Sequence, residues 1–413
     1  MTLWISSHGC TTTPTPGRNV RESAGRLPCR PVLQAVLSAA IVVTSLTSAA
    51  ILLGWGRQRV AGAMPLSLLG FMALLFTTGL DAGLIMFPLT EFPVYAREPV
   101  YAFANPLAIA FGSWGFLVWG FYFLTTFYFL VIEPRVRIFE IPAVRFVNNL
   151  SIVGTCAFTA HLLLTNLPFY APGIGEGTRY TVVALAVLMA VLSSTQIRYV
   201  RILSVSSMWL FGALVAALWL QSGMGVGGLV TTGANLGDYF TQLPRFVLPM
   251  SDYHAFYLCW WFSWSIMIGQ FVARFVGGIR TWQLAVAMVV IPSIPLGTWF
   301  SVLYFYFHTG LTVPPALLTA MVAVGVVFVV NSLDSLIRLY SENLGLTVRR
   351  VGVGAYVGVH WALMCGLVLA FQFTPLRIEW FGLTVIALYA AVYGLLALRW
   401  RTQRAALAAT AID

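Results

Sequence analysis

Phe256-Tyr-Leu-Cys-Trp260-Trp261-Phe-Ser-Trp264 lies inside an apolar stretch that ends at Arg274. Three tryptophans and three further aromatics share little more than two helical turns. In membrane helices Trp and Tyr favour the two interfaces, where one end of the ring stays wet. A cluster running deep into a span needs another cause. One is a cage of π-faces for a cation with no N–H to donate, such as a quaternary ammonium. The other is helix packing by large aromatic side chains.

The 413 residues around this stretch are 59% hydrophobic and 9% charged. With a mean hydropathy of +0.86, that is the composition of a polytopic membrane protein and not of a globular core. All 23 basic residues are arginine, so the net charge of +10 reads through topology and not through nucleic-acid affinity. The five cysteines (Cys10, Cys29, Cys156, Cys259, Cys365) show no paired spacing, which argues against a disulfide framework or a zinc site. The five histidines are scattered, with no H-E-x-x-H, and no P-loop is present. An intramembrane enzyme or an ATP-driven pump therefore ranks low, and no metal or cofactor is expected.

Apolar runs predict about eleven helices by the ~20-residue criterion. They cover 32–55, 66–88, 105–132, 144–168, 180–197, 203–221, 252–275, 283–307, 314–338, 352–373 and 378–399. Paired arginines (Arg57/Arg59, Arg135/Arg137, Arg198/Arg201, Arg274/Arg280, Arg349/Arg350, Arg399/Arg401) fall on alternate connections. The opposite connections hold mostly single ones, at Arg97, Arg179, Arg245 and Arg377. The positive-inside rule places the C-terminus in the cytoplasm. A polar tail, 1–31, is expected to be disordered, followed by a first span and cytoplasmic loop, 32–62. The interruption 223–251 divides the later spans into two sets of five, 63–222 and 252–399, before a short tail, 400–413. That layout suggests two inverted repeats with an extracellular loop and surface helix between them.

Several segments, in order, carry a family resemblance. Trp260-Trp261-Phe-Ser-Trp264 precedes Gly269-Gln-Phe-Val-Ala-Arg274 and Gly277-Gly-Ile279-Arg280-Thr. Gly237-Asp238-Tyr239 with Pro244-Arg245, Phe328-Val-Val-Asn331-Ser332-Leu-Asp334-Ser335, and Gly79-Leu-Asp81-Ala-Gly83 with Glu91 complete the set. Together they resemble the betaine/choline/carnitine transporter family along nearly the whole chain after residue 50. The departures are Ile279, which interrupts a Gly-Arg pair, and the first span, which resembles the family's second.

The resemblance implies an all-α polytopic fold with a LeuT-like core of two inverted five-helix repeats. It implies an ion-coupled secondary transporter of a quaternary-ammonium solute (betaine, choline or carnitine type) working by alternating access. The expected setting is the cytoplasmic (inner) membrane, in contact with lipid and as a homotrimer built partly on the surface helix. A transport-inactive osmosensor on the same fold, or an exchanger without ion coupling, are the competing readings.

Within Ser113-Trp114-Gly-Phe-Leu-Val118-Trp119-Gly-Phe-Tyr122 the resemblance assigns Trp114, Trp119 and Tyr122, together with Trp261, to an aromatic box for trimethylammonium. Ser113 and Val118 stand where the family has His and Pro. Trp260, Trp264 and Phe256 are expected to line the same passage. Gly79, Ala82 and Gly83 permit an unwound segment whose backbone groups face substrate or ion, or else permit close helix packing. Asp81, where the family has a small or neutral residue, reads as a proton acceptor, a sodium ligand or a counter-charge. Its alternative is a structural hydrogen bond in the protonated form. Asn331 and Ser332, beside Phe328, occupy the positions of sodium ligands in sodium-coupled relatives, so Na+ or H+ is the expected coupling ion. His161 reads equally as packing or proton relay, and Asp334 as the partner of Arg338 one turn on.

Overall fold

The computed structural model describes residues 30–80 and 82–410. Most of the polar tail, Cys10, Cys29 and the candidate coupling residue Asp81 lie outside the described residues. Among the described residues ten helices are long and apolar enough to cross a membrane, and one bent pair brings the number to eleven. The first is α1, Arg30–Trp55.

The bent pair is α2, Leu68–Thr78, and α3, Ala82–Arg97, at 52° to each other. Ser67 begins α2 by accepting the Gly70 N–H at 3.2 Å. The sequence predicts one span over 66–88; the structure breaks it and carries it on to Arg97. Pro88 sits inside α3 and has no N–H for the Leu84 carbonyl four residues earlier. The indole N–H of Trp299 supplies that bond at 2.8 Å. A side chain from another span thus satisfies backbone that lipid could not.

The next span, Pro106–Val136, is also broken. Asn105 caps α4, Pro106–Trp114, by accepting the Ala108 N–H at 3.0 Å. The chain then turns at Gly115 and Phe116 before α5, Leu117–Phe127. Phe116 has φ 48°, a costly conformation for a bulky L-residue. Its N–H is taken by Ser293 Oγ at 3.2 Å. The span breaks although position 118 is valine and not the proline that the resemblance implies.

Four helices follow in sequence order: α6, Pro142–Tyr170; α7, Glu176–Ser194; α8, Ile197–Gln221; and α9, Asp252–Val272. The span Thr281–Thr309 ends in α10, Ile291–Thr309. Last come α11, Pro315–Leu344; α12, Val353–Phe373; and α13, Ile378–Thr410. The most apolar window of α9 is 94% buried and that of α13 only 17%, so α9 is an axis and α13 a rim helix. Leu53, Leu220 and Trp209 are widely exposed on rim helices. In lipid such side chains need no protein partner.

Close contacts use glycine. A Cβ at Gly382 would lie 2.4 Å from the Cys259 carbonyl oxygen, so α13 meets α9 backbone to backbone. A Cβ at Gly269 would lie 2.2 Å from Thr125 Oγ1, which seats α9 against α5. Packing by small residues replaces the hydrophobic drive that is missing between helices in a bilayer.

Two connections join in a short antiparallel ladder of β1, Arg59–Val60, and β2, Ile279–Arg280. It is extended where Gly62 N–H donates to the Val276 carbonyl at 2.8 Å and Met64 N–H to that of Arg274 at 2.7 Å. Ile279, the residue that departs from the family pattern, is opposite Val60 in this register.

The interruption between α8 and α9 holds three short helices, Val226–Ala234, Gly237–Thr241 and Leu243–Val247. Asp238 accepts from Asn105 Nδ2 at 2.7 Å, and the Arg245 guanidinium lies 4.9 Å from the Phe103 ring centre. Both charges of the expected surface helix are thus used to clamp this segment onto the start of α4.

Candidate functional site: an aromatic box beside a broken helix

At the break between α2 and α3 the backbone leaves helical pairing, and its free carbonyls point at side chains. The Gly79 carbonyl accepts from Tyr122 OH at 3.3 Å. A Cβ on Gly79 would approach the Trp119 ring to 3.2 Å and the Leu75 carbonyl oxygen to 2.8 Å, so only glycine lets the indole lie on the break. Trp119 and Tyr122, one turn apart on α5, meet edge to face at 5.3 Å between centroids. The break and half of the aromatic set are therefore one construction.

The other half comes from the end of α4 and the middle of α9. Trp260 and Trp261 stack at 5.1 Å, and Trp114 stands edge-on to both, 5.3 Å from Trp260 and 5.0 Å from Trp261. Tyr122 joins the halves at 6.5 Å from Trp261, with planes 74° apart. Trp261 Nε1 donates to the Ser113 carbonyl at 2.6 Å, which fixes the ring and satisfies a carbonyl near the end of α4. All these rings are buried. Aromatic faces are the groups that attract a soft cation. Phe256 lies 6.1 Å from Trp260, one turn away. Trp264 is buried too, with an indole N–H that finds no hydrogen-bond partner among the described residues.

Sequence reasoning placed Glu91 in the glycine-rich segment but gave it no role. It is 3% exposed, and both Tyr253 and Tyr257 donate hydroxyls to its Oε1. Tyr257 OH in turn accepts from Trp114 Nε1 at 3.2 Å. A carboxylate deep in α3 thereby orients one wall of the box through a tyrosine. A lone acidic residue in an apolar span was the available signal.

The two candidate sodium ligands part company. Ser332 on α11 places its hydroxyl 2.8 Å from the Leu80 carbonyl and 3.3 Å from that of Thr77, directly at the break. Three oxygens from two elements gather there, a donor set suited to a hard cation. Asn331 instead accepts from Ser204 of α8 at 3.3 Å, and its amide nitrogen has no hydrogen-bond partner among the described residues. Phe328 packs in a ring cluster, 6.0 Å from Phe211 and 6.4 Å from Phe76. Thr159 Oγ1 donates within its own helix, to the Thr155 carbonyl at 3.3 Å. Asp334 and Arg338 pair at 3.5 Å, as the spacing predicts. His161 packs on Phe371 at 5.8 Å with nearly parallel planes.

The sequence model of the betaine/carnitine/choline transporter family matches residues 152–306, from within α6 to within α10 and including the tryptophan run. A glycine betaine transporter of Acinetobacter baylyi is 25% identical over 265 residues, 54% of this chain and 40% of that protein. Over residues 152–306 the chain is similar to the betaine/carnitine/choline transporter family. That family is one of transporters and not of enzymes. An uncharacterized transporter of Mycobacterium tuberculosis is 27% identical over 281 residues, covering 56% of this chain and 46% of that protein. Glycine betaine transporter 1 of Vibrio parahaemolyticus is 25% identical over 57% of this chain and 53% of its own length. The chain spans about half the length of the curated relatives it matches. Among solved structures, a substrate-bound, outward-open sodium-coupled sialic acid symporter covers 88% of this chain and 86% of its own, at 17% identity and TM-score 0.49.

Proposed function

We propose that this chain is a secondary active transporter of a quaternary-ammonium solute, working by alternating access in the cytoplasmic membrane with its C-terminus inside. The observation that carries the reading is the meeting of Trp114, Trp261 and Tyr122 at steep angles beside the broken helix. The trimethylammonium sits among these faces and Trp119, with the break at Gly79, Ala82 and Gly83 beside it. Each ring face contributes roughly 0.5–2 kcal/mol, more when desolvated, which offsets hydration lost by a soft cation. Helix 68–78 with 82–97 opens the first inverted repeat and α9 the second, the usual placement of a mid-membrane site between repeats.

Coupling runs through the break. The oxygens of Thr77, Leu80 and Ser332 offer a sodium position, and Asp81 a proton position. Asp81→Gly is expected to abolish accumulation driven by an imposed pH gradient in sodium-free proteoliposomes, with exchange retained. Accumulation equal to the parent would make Asp81 structural. Uptake of labelled glycine betaine, choline and carnitine, with and without sodium, tests the transport reading itself; no uptake of any would favour a sensor on the same fold. The chain is proposed to assemble as a trimer through the 223–251 segment, where Val226 and Val230 are exposed. A monomer mass in native detergent micelles would refute that assembly.

A further inference from the structure

Near the arginine-rich ends of α1, α5 and α13, a cavity of about 360 Å³ opens between these helices and α9. That is within the range of small-ligand sites, about 300–1,000 Å³. Ile51, Leu124, Phe127, Ile266 and Val392 give it apolar walls. The hydroxyls that also line it are already used. Tyr393 donates to Thr47 and Tyr389 to Ser265, each at 2.9 Å. Tyr128 donates to Glu133 and Thr125 to the Ser265 carbonyl, each at 2.7 Å. The interior therefore suits an occupant with no polar group of its own, since it has none to offer in return. One wall is a π-helical turn, Tyr128–Ile132, a distortion often found at functional sites.

The mouth has the opposite chemistry. Arg135 lines it and donates through Nη1 to the Val131 carbonyl at 2.5 Å, and Arg399 Nη1 donates to the Val136 carbonyl. Guanidiniums from α13 and from the end of the α5 span thus meet on the stretch 131–136. Neither has an ion-pair partner among the described residues. Glu133, between them, is spent on Tyr128 and on the Ile138 and Phe139 N–H groups, at 3.1 and 2.8 Å. Ala50 and Trp55 of α1 line the cavity and are exposed, so it opens sideways towards the bilayer.

We infer that this cavity is a lipid site, which takes one acyl chain of an anionic phospholipid with the phosphate on Arg135 and Arg399. Planar guanidiniums give phosphate oxygens strong charge-assisted bonds. The positive-inside rule puts this end of the bundle in the cytoplasmic leaflet, where anionic lipids attract basic side chains. The chain fills the gap between α1 and α13 on one side and α5 and α9 on the other. The site is at the opposite end of the bundle from the 223–251 segment, and it holds whatever solute the box takes.

Native mass spectrometry of the delipidated full chain tests it, with phosphatidylglycerol and phosphatidylcholine of identical chains as the probes. The wild type is expected to hold its first phosphatidylglycerol about 5-fold or more tighter than phosphatidylcholine, and R135Q/R399Q to bring the two within about twofold. A50W and V392F fill the cavity from two helices, and each is expected to weaken binding of both lipids. Glycerol phosphate, a headgroup with no chain, is expected not to bind. Unfolding temperatures without lipid serve as the folding control, and V392F decides the matter if A50W fails to fold. Equal affinities of the wild type for the two lipids, a preference that survives R135Q/R399Q, or full binding by a folded, filled variant overturns the site.

Discussion

Replacing Trp261 by leucine is expected to weaken solute binding by roughly 1–2 kcal/mol, about 5–30-fold in apparent affinity. Leucine keeps some of the bulk and removes the π-system, so the cation loses the face that touches the rest of the box most closely. Trp261 stands 5.0 Å from Trp114, 5.1 Å from Trp260 and 6.5 Å from Tyr122, so every wall but Trp119 is built against it. The substitution also removes the indole N–H from the Ser113 carbonyl, which loosens the end of α4. Trp261→Phe is the informative companion, because it retains a weaker π-face while losing the same hydrogen bond. Affinity should fall in the order Trp, Phe, Leu. Correctly inserted protein in which the Leu variant binds as tightly as the parent would rule out the box.

Arg338→Met is expected to destabilise the protein by about 3–5 kcal/mol, through the carboxylate it leaves behind. Asp334 is fully buried on α11 and its one ion-pair partner among the described residues is Arg338, at 3.5 Å. Arg338 also donates to the Ser193 carbonyl on α7 at 3.4 Å, so the guanidinium joins two helices as well as two charges. Removing both members, as Asp334→Leu with Arg338→Met, should recover most of the loss, since no buried charge remains. Thermal unfolding in detergent would measure this. A single variant as stable as the parent, or a double variant worse than the single, would contradict the account.

The spans were legible because lipid imposes one rule on composition and length. The limits of α9 and of the last two spans agree closely with the apolar runs, and the break near Gly79 was marked by small residues. The tryptophan run and the Trp114–Tyr122 segment announced themselves by aromatic density where lipid-facing packing does not ask for it. Glu91 was visible as an intramembrane carboxylate, yet nothing in the chain order says that Tyr253 and Tyr257, over 160 residues away, would close on it. Asn331 and Ser332 are neighbours in sequence and identical in promise, but successive helix positions point about 100° apart. One therefore meets the break and the other α8.

The amino-acid sequence by itself determined that this chain is a bundle of membrane helices with an aromatic cluster and a weak point in one span. Those properties are local, since hydrophobicity, helix period and glycine content are read over a turn or two. Which rings face one another, which hydroxyl reaches the broken backbone and which carboxylate orients Trp114 were decided only by the tertiary structure. Each of those contacts joins helices far apart in the chain. Their geometry follows from close approach at residues such as Gly79, Gly269 and Gly382, where the absence of one methyl group sets how near two helices can come.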